Sequence, residues 1–216
     1  VSVRLRGPIV HAVQSAFSEN WTGRTGELLV GDGIFPALEP AGEVPMHAVF
    51  VKPEGTAPAV KILHHTAILL ARKRLWIQNP YFIPEPAAIV ALGEAVARGV
   101  DVRVLMPSTG GSDMPMVQHA GHRNFERLLR RGVRLFEYPH TLLHQKVMTI
   151  DGHVADVGSA NFTNRSMGLD SECDRMIDAS LPATRGAEEA IARLPENVAP
   201  VISLLPELRV VDRHPD

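Results

Sequence analysis

The sequence predicts an α/β domain built on a mixed, mostly parallel sheet with helices on both faces. From about residue 59 onward, helix-like and strand-like segments alternate, which is typical of a layered α/β domain. The 216 residues are 45% hydrophobic, so the chain can bury a core in one or at most two domains. Two adjacent segments, 146–150 and 153–157, are apolar on both faces, which indicates central strands covered on each side.

Each predicted element is bounded by a local signal. Apolar residues at helical spacing from Val60 to Ala71 predict a first helix, and the basic run after it favours a helix C-terminus. A second helix runs from Glu85 to Arg98 and a third from Pro115 to Arg131, and each is followed directly by a glycine. The predicted strands outside the hairpin are Leu75–Gln78, Val100–Met106, Val133–Tyr138 and Glu172–Ala179, and a further helix is predicted over Pro182–Leu194.

Composition and charge exclude several classes of protein. No run approaches the roughly 18 consecutive apolar residues of a membrane-spanning helix. Lys and Arg number 22 against 24 Asp and Glu, and the net charge of -2 argues against a uniformly basic nucleic-acid coat. The single cysteine, Cys173, excludes an internal disulfide and a multi-thiolate zinc site. His119 with His122, and His64 with His65, have no matching acidic or thiolate partners in the sequence, so we expect ordinary helix residues and no metal.

The chemistry is concentrated in the stretch H-Q-K-V-M-T-I-D-G-H-V-A-D-V-G-S-A-N, which begins at His144 and contains HxKxxxxD followed by GSxN. Residues two apart on a strand share a face, so His144 and Lys146 are predicted to project together. Asp151 and Gly152 suit a two-residue type I′ turn. That turn would pair Ile150 with His153.

Counting outward from this turn pairs Lys146 with Val157 and His144 with Ser159, with Asn161 following on the same face. An ammonium and an amide there can bind the oxygens of a phosphate ester, while an imidazole supplies a nucleophile or a proton. A lone HxK pair would more often be a core histidine beside a surface charge. The placement of His144, Lys146 and Ser159 on one face of an otherwise apolar hairpin favours the functional interpretation.

These segments resemble the phospholipase D superfamily, and most closely the C-terminal half of bacterial cardiolipin synthases. The resemblance rests on the motif residues His144, Lys146, Asp151, Gly158, Ser159 and Asn161. It also rests on three longer segments: N-P-Y-F-I-P at 79–84, R-G-V-D-V-R-V-L-M-P at 98–107, and N-R-S with a later Glu at 164–172. The resemblance implies that Glu172 hydrogen-bonds a catalytic histidine. Asp156 lies where relatives usually place an uncharged residue.

The resemblance further implies phosphodiester hydrolysis or phosphatidyl transfer through a phosphohistidine, with no cofactor. The catalytic candidates are then His144, Lys146, Asp151 and Glu172, and the phosphate-binding candidates are Lys146, Ser159 and Asn161. Asp151 falls in the turn, where a structural role is favoured. In relatives with two motifs the C-terminal one more often supplies the acid, so His144 is assigned that role.

Two motifs are needed for this mechanism, and the sequence contains one. Because Val3 to Trp21 resembles the end of a first lobe, we expect residues 1–45 to be the tail of a preceding lobe with its linker. Residues 46–216 would be a C-terminal phospholipase D-like catalytic lobe. The alternatives are a single-motif homodimer resembling the superfamily's small nucleases, and a non-catalytic phosphate-binding module.

The expected partners are a phospholipid or other phosphodiester and either an upstream lobe with a second motif or a second copy of the chain. A membrane surface is a further candidate and nucleic acid a weaker one, because arginines recur at helical spacing between Arg123 and Arg134. The predicted location of the protein is the cytoplasm, or the inner face of the membrane that encloses the cytoplasm. Tyr81, Phe82 and Ile83 could line a substrate entrance, although packed core is the commoner role of such a segment.

Overall fold

A seven-stranded sheet organises the chain, in the order β1-β9-β7-β6-β2-β4-β5. The computed structural model describes residues 3–52, 58–138, 142–168 and 170–178. The strands of this sheet are β1 (Met46–Val51), β2 (Arg74–Gln78), β4 (Asp101–Pro107), β5 (Arg134–Tyr138), β6 (Val147–Ile150), β7 (Val154–Gly158) and β9 (Glu172–Asp178). A second, two-stranded sheet pairs β3 (Phe82–Ile83) with β8 (Phe162–Thr163). The helices are α1 (Ile9–Thr25), α2 (Ala59–Leu70), α3 (Pro86–Ala97), α4 (Pro115–Leu129) and the short α5 (Asn164–Gly168).

The predicted α/β class, a mixed sheet flanked by helices, is confirmed. Within the large sheet, parallel pairing of the described strands is confined to β2, β4 and β5, where each crossover passes through a helix. The other four pairings of the described strands in the large sheet are antiparallel, so parallel pairs are the minority rather than the majority. The reason is that a β-hairpin and the strand β9 extend the sheet beyond the β-α-β units.

The elements follow their sequence signals closely. Pro86 and Pro115 open α3 and α4, because proline fits the first turn of a helix, where its missing N–H would have no helical partner. Gly99 and Gly132 follow α3 and α4 with φ of 88° and 82°, the left-handed conformation that glycine adopts without strain. The six predicted strands begin at their predicted starts or one residue away from them, while β1, β3 and β8 were not predicted.

The main core lies between the sheet and helices α2, α3 and α4. Its fully buried side chains include Ile68 of α2, Leu92 of α3, Leu128 of α4 and Val104 of β4. Alternation along β4 sends Leu105 to the opposite face, where it packs with Phe136. Phe82 is buried in the main core, as the commoner alternative for that segment predicted.

The hairpin of β6 and β7 is present, but its predicted register is wrong by one residue. Asp151 and Gly152 adopt positive φ of 57° and 76°, as a type I′ turn requires, and His153 N–H donates to Ile150 O at 3.0 Å. The ladder, however, pairs Ile150 with Val154 and Val147 with Val157. Three residues therefore separate the strands, and Lys146 lies opposite Gly158, whose N–H donates to Lys146 O at 3.2 Å.

Both hairpin strands lie in the middle of the sheet, as their apolar composition predicted. The predicted helix over 182–194 lies outside the described residues. Within the described part of the chain, no helix is long and apolar enough to cross a membrane.

Candidate active site

The His144 imidazole and the Lys146 ammonium lie side by side where the chain enters β6. Lys146 Nζ is 3.1 Å from His144 Nδ1 and 3.2 Å from Nε2, and it donates to His144 O at 3.1 Å. His144 is exposed and its ring meets the edge of Tyr81 at 6.0 Å between centroids. The predicted juxtaposition is therefore present and open to solvent.

Partial burial lowers the pKa of Lys146, while the carboxylates of Glu172, Asp113 and Asp174 act in the opposite direction. Asp113 also accepts a hydrogen bond from the Tyr81 hydroxyl at 2.6 Å. No motif pointed to Asp113, because it reaches the site from the loop before α4. The Lys146 ammonium thus lies at the mouth of the site, within electrostatic range of three carboxylates. There it is available to a phosphate oxygen.

Ser159 and Glu172 form a second polar pair beside this cation. The exposed Ser159 hydroxyl donates to the Glu172 carboxylate and accepts from Cys173 N–H at 3.0 Å. Burial raises the pKa of Glu172, and its hydrogen bonds from the hydroxyls of Ser159 and Ser166 oppose that rise. The contact of Glu172 with a catalytic histidine, implied by the resemblance, stays a prediction.

The register shift changes how Ser159 reaches the site. The two-residue turn would have placed Ser159 directly across from His144. In the structure the β6–β7 ladder ends at the pair Val147–Val157, strand β7 ends at Gly158, and Ser159 follows in a bend. Asn161 lies half-buried beyond the bend. Its Nδ2 donates to Ser166 Oγ at 3.4 Å, and its Oδ1 is buried with no hydrogen-bond partner among the described residues.

The loop Ser159–Asn161 is held in place by Asn79, the buried first residue of the N-P-Y-F-I-P segment. Its Nδ2 donates to Ala160 O at 3.2 Å, and its Oδ1 accepts from Phe162 N–H at 3.2 Å. The parallel pairing of Phe82 with Phe162 continues this connection. The N-P-Y-F segment therefore holds the G-S-x-N segment in place.

Asp151 lies in the turn at the other end of β6, away from His144. Its carboxylate accepts from the backbone N–H groups of Arg72 (2.9 Å), Lys73 (2.7 Å) and Arg74 (2.9 Å). These three hydrogen bonds lower the pKa of Asp151 against the opposing effect of burial, the largest single influence. The contacts support the structural role that was favoured for Asp151.

His64 has two buried acidic partners, contrary to the expectation from the sequence. Its Nε2 lies 2.9 Å from Asp156 Oδ2 and 3.3 Å from Asp174 Oδ2. One ligand atom from each residue lies within 4.8 Å of the others, a spacing that a metal ion could use. In the structure, His64 contacts both carboxylates directly, at hydrogen-bond distances. No spacing rule in the sequence brings these residues together, because they come from α2, β7 and β9.

Two clefts adjoin the motif. One is a narrow cleft between Lys146, Asn79 and the buried group of His64, Asp156 and Asp174. The other, which is wider, separates Ser159 and Glu172 from α1. Helix α1 thus forms part of the surroundings of the site.

The arginines that recur at helical spacing from Arg123 to Arg134 form a basic stripe, and all of them are exposed. Two of them have acidic partners: Arg130 pairs with Glu126 at 2.7 Å, and Arg134 lies 3.6 Å from Asp101. The stripe is therefore only partly free to meet an anionic surface.

The chain is similar in sequence to curated bacterial proteins. Residues 65–194 match the family described as "Cardiolipin synthase, PLD-like domain". Cardiolipin synthase A of Pseudomonas putida is 39% identical over 170 residues, which are 79% of this chain and 34% of that protein. Cardiolipin synthase A of Pseudomonas fluorescens is 38% identical over 170 residues. The chain thus spans about a third of the length of the curated relatives it matches.

Solved structures with the same fold share less sequence. Nuc of Salmonella typhimurium, a phospholipase D family member, aligns with a TM-score of 0.61 at 22% identity, covering 73% of this chain and 98% of Nuc. Phosphatidylserine synthase of Haemophilus influenzae aligns with a TM-score of 0.58 at 16% identity, covering 76% of this chain and 42% of that one. These alignments establish the fold, and together with the sequence matches they place the chain in the cardiolipin synthase, phospholipase D-like family.

Proposed function

We propose that this chain supplies half of an active site that hydrolyses or transfers phospholipid phosphodiesters through a phosphohistidine. The observation that carries the proposal is the contact between the Lys146 ammonium and the exposed His144 imidazole. The family membership, and relatives described as cardiolipin synthases, favour a phospholipid over other phosphodiesters.

Each residue has a defined task in this proposal. Lys146 neutralises a non-bridging oxygen and the Asn161 amide donates to the same phosphate group, and the Ser159 hydroxyl joins them by turning its single proton from Glu172 to the phosphate. His144 protonates the leaving alcohol as the general acid. Glu172 holds the Ser159 hydroxyl and remains the proposed partner of a catalytic histidine. Asp151 keeps the far end of the hairpin in position.

A second histidine has to attack phosphorus from the side opposite the leaving group. One imidazole cannot readily occupy both positions in an in-line displacement. We infer that the second motif comes from a preceding lobe, with residues 1–45 as its tail and residues 46–216 as the C-terminal lobe. The other source is a second copy of the chain, related by a twofold axis that brings the two His144 side chains together.

A membrane surface supplies the substrate in this proposal, and the location we propose is the cytoplasm, at the inner face of the membrane. Exposed apolar side chains near the site support contact with a membrane surface. Met114 and Met116 are 50% and 83% exposed, and they follow Asp113, the residue that binds Tyr81 beside His144. Apolar groups exposed at the rim of a site suit contact with acyl chains.

The test is phosphodiester hydrolysis per chain as a function of protein concentration, measured alongside sedimentation. The chromogenic substrate bis(4-nitrophenyl) phosphate and glycerophospholipid vesicles serve as the two substrates, and His144→Ala is the control. We expect little turnover from monomers and restoration when a second motif is supplied. A high rate from demonstrable monomers would contradict the divided site.

Hydrolysis and sedimentation, with two added binding and labelling measurements, separate the divided site from the homodimeric nuclease and the non-catalytic module. A rate that rises with the dimer fraction, combined with steeply salt-dependent binding of duplex DNA, would favour the nuclease-like homodimer. Phosphate binding without turnover or phosphohistidine in any assembly would favour the non-catalytic module.

A further inference from the structure

A histidine side chain is buried directly beneath the proposed phosphate-binding loop. His64 of α2 is 5% exposed, and its ring stacks on Phe162 with 5.4 Å between centroids and 9° between planes. Asp156 and Asp174, 4% and 1% exposed, lie at hydrogen-bond distance of its Nε2. Three ionisable groups withdrawn from water are costly unless they are paired with one another.

This buried group is connected to the loop through a single carboxylate. Asp174 Oδ1 accepts from the backbone N–H groups of Ser159 at 2.9 Å and Ala160 at 3.1 Å, while Oδ2 faces His64. Gly158 permits this approach, since a Cβ at that position would lie 1.6 Å from Asp174 Oδ1. The orientation of the Asp174 carboxylate therefore fixes the backbone from which the Ser159 hydroxyl projects.

The charge of the group also bears on anion binding. Lys146, His64, Asp156 and Asp174 line the same cleft, so two carboxylates face two cations. Burial lowers the pKa of His64, but hydrogen bonds and charge from Asp156 and Asp174 raise it overall to about 9. Without the imidazolium, two buried carboxylates would face Lys146 alone, and a phosphate beside that lysine would meet excess negative charge.

We propose that His64 is a positioning residue for the phosphate-binding loop, holding Asp174 so that Ser159 and Lys146 present a preorganised site to a phosphate anion. This inference rests on the proposed function of that site. Asp156 has the supporting part, because it occupies the same Nε2–H and limits the rotation of the ring. The arrangement accounts for a buried acidic residue at position 156 in the otherwise apolar strand β7.

The test compares His64→Leu and His64→Gln with the wild-type 216-residue chain, using inorganic phosphate as the probe. His65→Gln is the matched control, since His65 is the next residue of α2 but faces Glu85 at 3.6 Å. The readouts are the phosphate Kd, the amide resonances of Ser159 and Ala160, and the ring nitrogen shifts of His64.

Losing a charge-assisted hydrogen bond that holds the loop should weaken phosphate binding about tenfold in His64→Leu. Glutamine retains a donor without the charge, so His64→Gln should recover part of the affinity and most of the wild-type amide shifts. His65→Gln should bind as the wild type does. In the wild type, both ring nitrogens of His64 should have imidazolium shifts at pH 7.

Several outcomes would overturn the inference. His64→Leu could bind phosphate normally with unmoved Ser159 and Ala160 amides, or the wild-type ring could be neutral at pH 7. A divalent metal ion bound to His64 in the wild type would also overturn it, because the metal rather than the imidazolium proton would then hold the Asp174 carboxylate. If His64→Leu does not fold, His64→Gln and the wild-type ring shifts still decide the matter. Failure of the proposed function is distinct, because the wild type itself would then not bind phosphate near Lys146.

Discussion

Replacing Asp151 by asparagine should reduce the free energy of unfolding by about 1 to 2 kcal/mol. The carboxylate accepts three backbone N–H groups, and charge-assisted hydrogen bonds contribute about 1.5 to 3 kcal/mol each when buried. Here the total is reduced because Arg72 and Lys73 are exposed, so water replaces much of what is lost. Asparagine also tolerates the φ of 57° at this position, so the substitution changes the acceptor without adding backbone strain.

The assay is urea unfolding of Asp151→Asn beside Glu126→Gln, which removes an exposed ion pair with Arg130 and should change stability by less than about 0.5 kcal/mol. Because the pKa of Asp151 is lowered in the folded state, its stabilisation is present above the unfolded pKa of about 4. It is lost as the pH falls through the folded pKa. The gap between wild type and variant should therefore narrow in acid.

Equal urea midpoints for Asp151→Asn and the wild type at pH 7 would refute this reasoning. A gap that persists unchanged at the lowest pH at which both proteins fold would also refute it. Phosphate binding should be unaffected, because Asp151 lies at the opposite end of β6 from His144. A selective loss of binding without a loss of stability would return Asp151 to the catalytic group.

Three further predictions concern the site and its buried support. His144→Ala and Lys146→Ala should each lower turnover of the assembled enzyme by about a hundredfold or more. The melting temperature of His144→Ala should be unchanged because His144 is exposed, and Lys146→Ala should still fold because Lys146 is only half-buried. Gly158→Ala should fail to give a native-like amide spectrum, since its Cβ would lie 1.6 Å from Asp174 Oδ1. His64 has a folded pKa of about 9 against 6.5 unfolded, so its stabilisation is complete below pH 6.5. That stabilisation should be lost in urea unfolding as the pH rises from 6.5 through about 9, and His64→Gln should lack this dependence.

Local signals were sufficient for most of the fold. Proline at the first turn of α3 and α4, and glycine after each helix, act within a few residues and are visible in the sequence. The juxtaposition of His144 and Lys146 was predictable for the same reason. Two side chains separated by one residue need only an extended backbone to lie together.

The hairpin register was not predictable in the same way. Asp151 and Gly152 adopt the conformation that their types favour, yet the ladder resumes one residue later, at Val154. Backbone hydrogen bonds from Arg72, Lys73 and Arg74 to the Asp151 carboxylate fix the turn against another part of the chain. A turn type read from two residues does not contain that tertiary constraint.

The buried support of the site is a tertiary feature as well. His64 is separated from Asp156 by 92 residues, and Asp174 arrives on a strand that inserts between β1 and β7. The one local signal was an acidic residue in the apolar strand at position 156. A buried charge requires a partner, so a search for an unassigned histidine on a packed helix face could have found His64.

The position of a phosphate-shaped anion bound to the protein would show directly whether His144 and Lys146 form a phosphate site. Tungstate has the tetrahedral form of phosphate, and its anomalous scattering locates it in a crystal without ambiguity. We predict a tungstate ion within hydrogen-bond distance of Lys146 Nζ, the His144 ring and the Ser159 hydroxyl, and its loss in Lys146→Ala. Tungstate found at the arginines of α4, with none beside Lys146, would contradict the account.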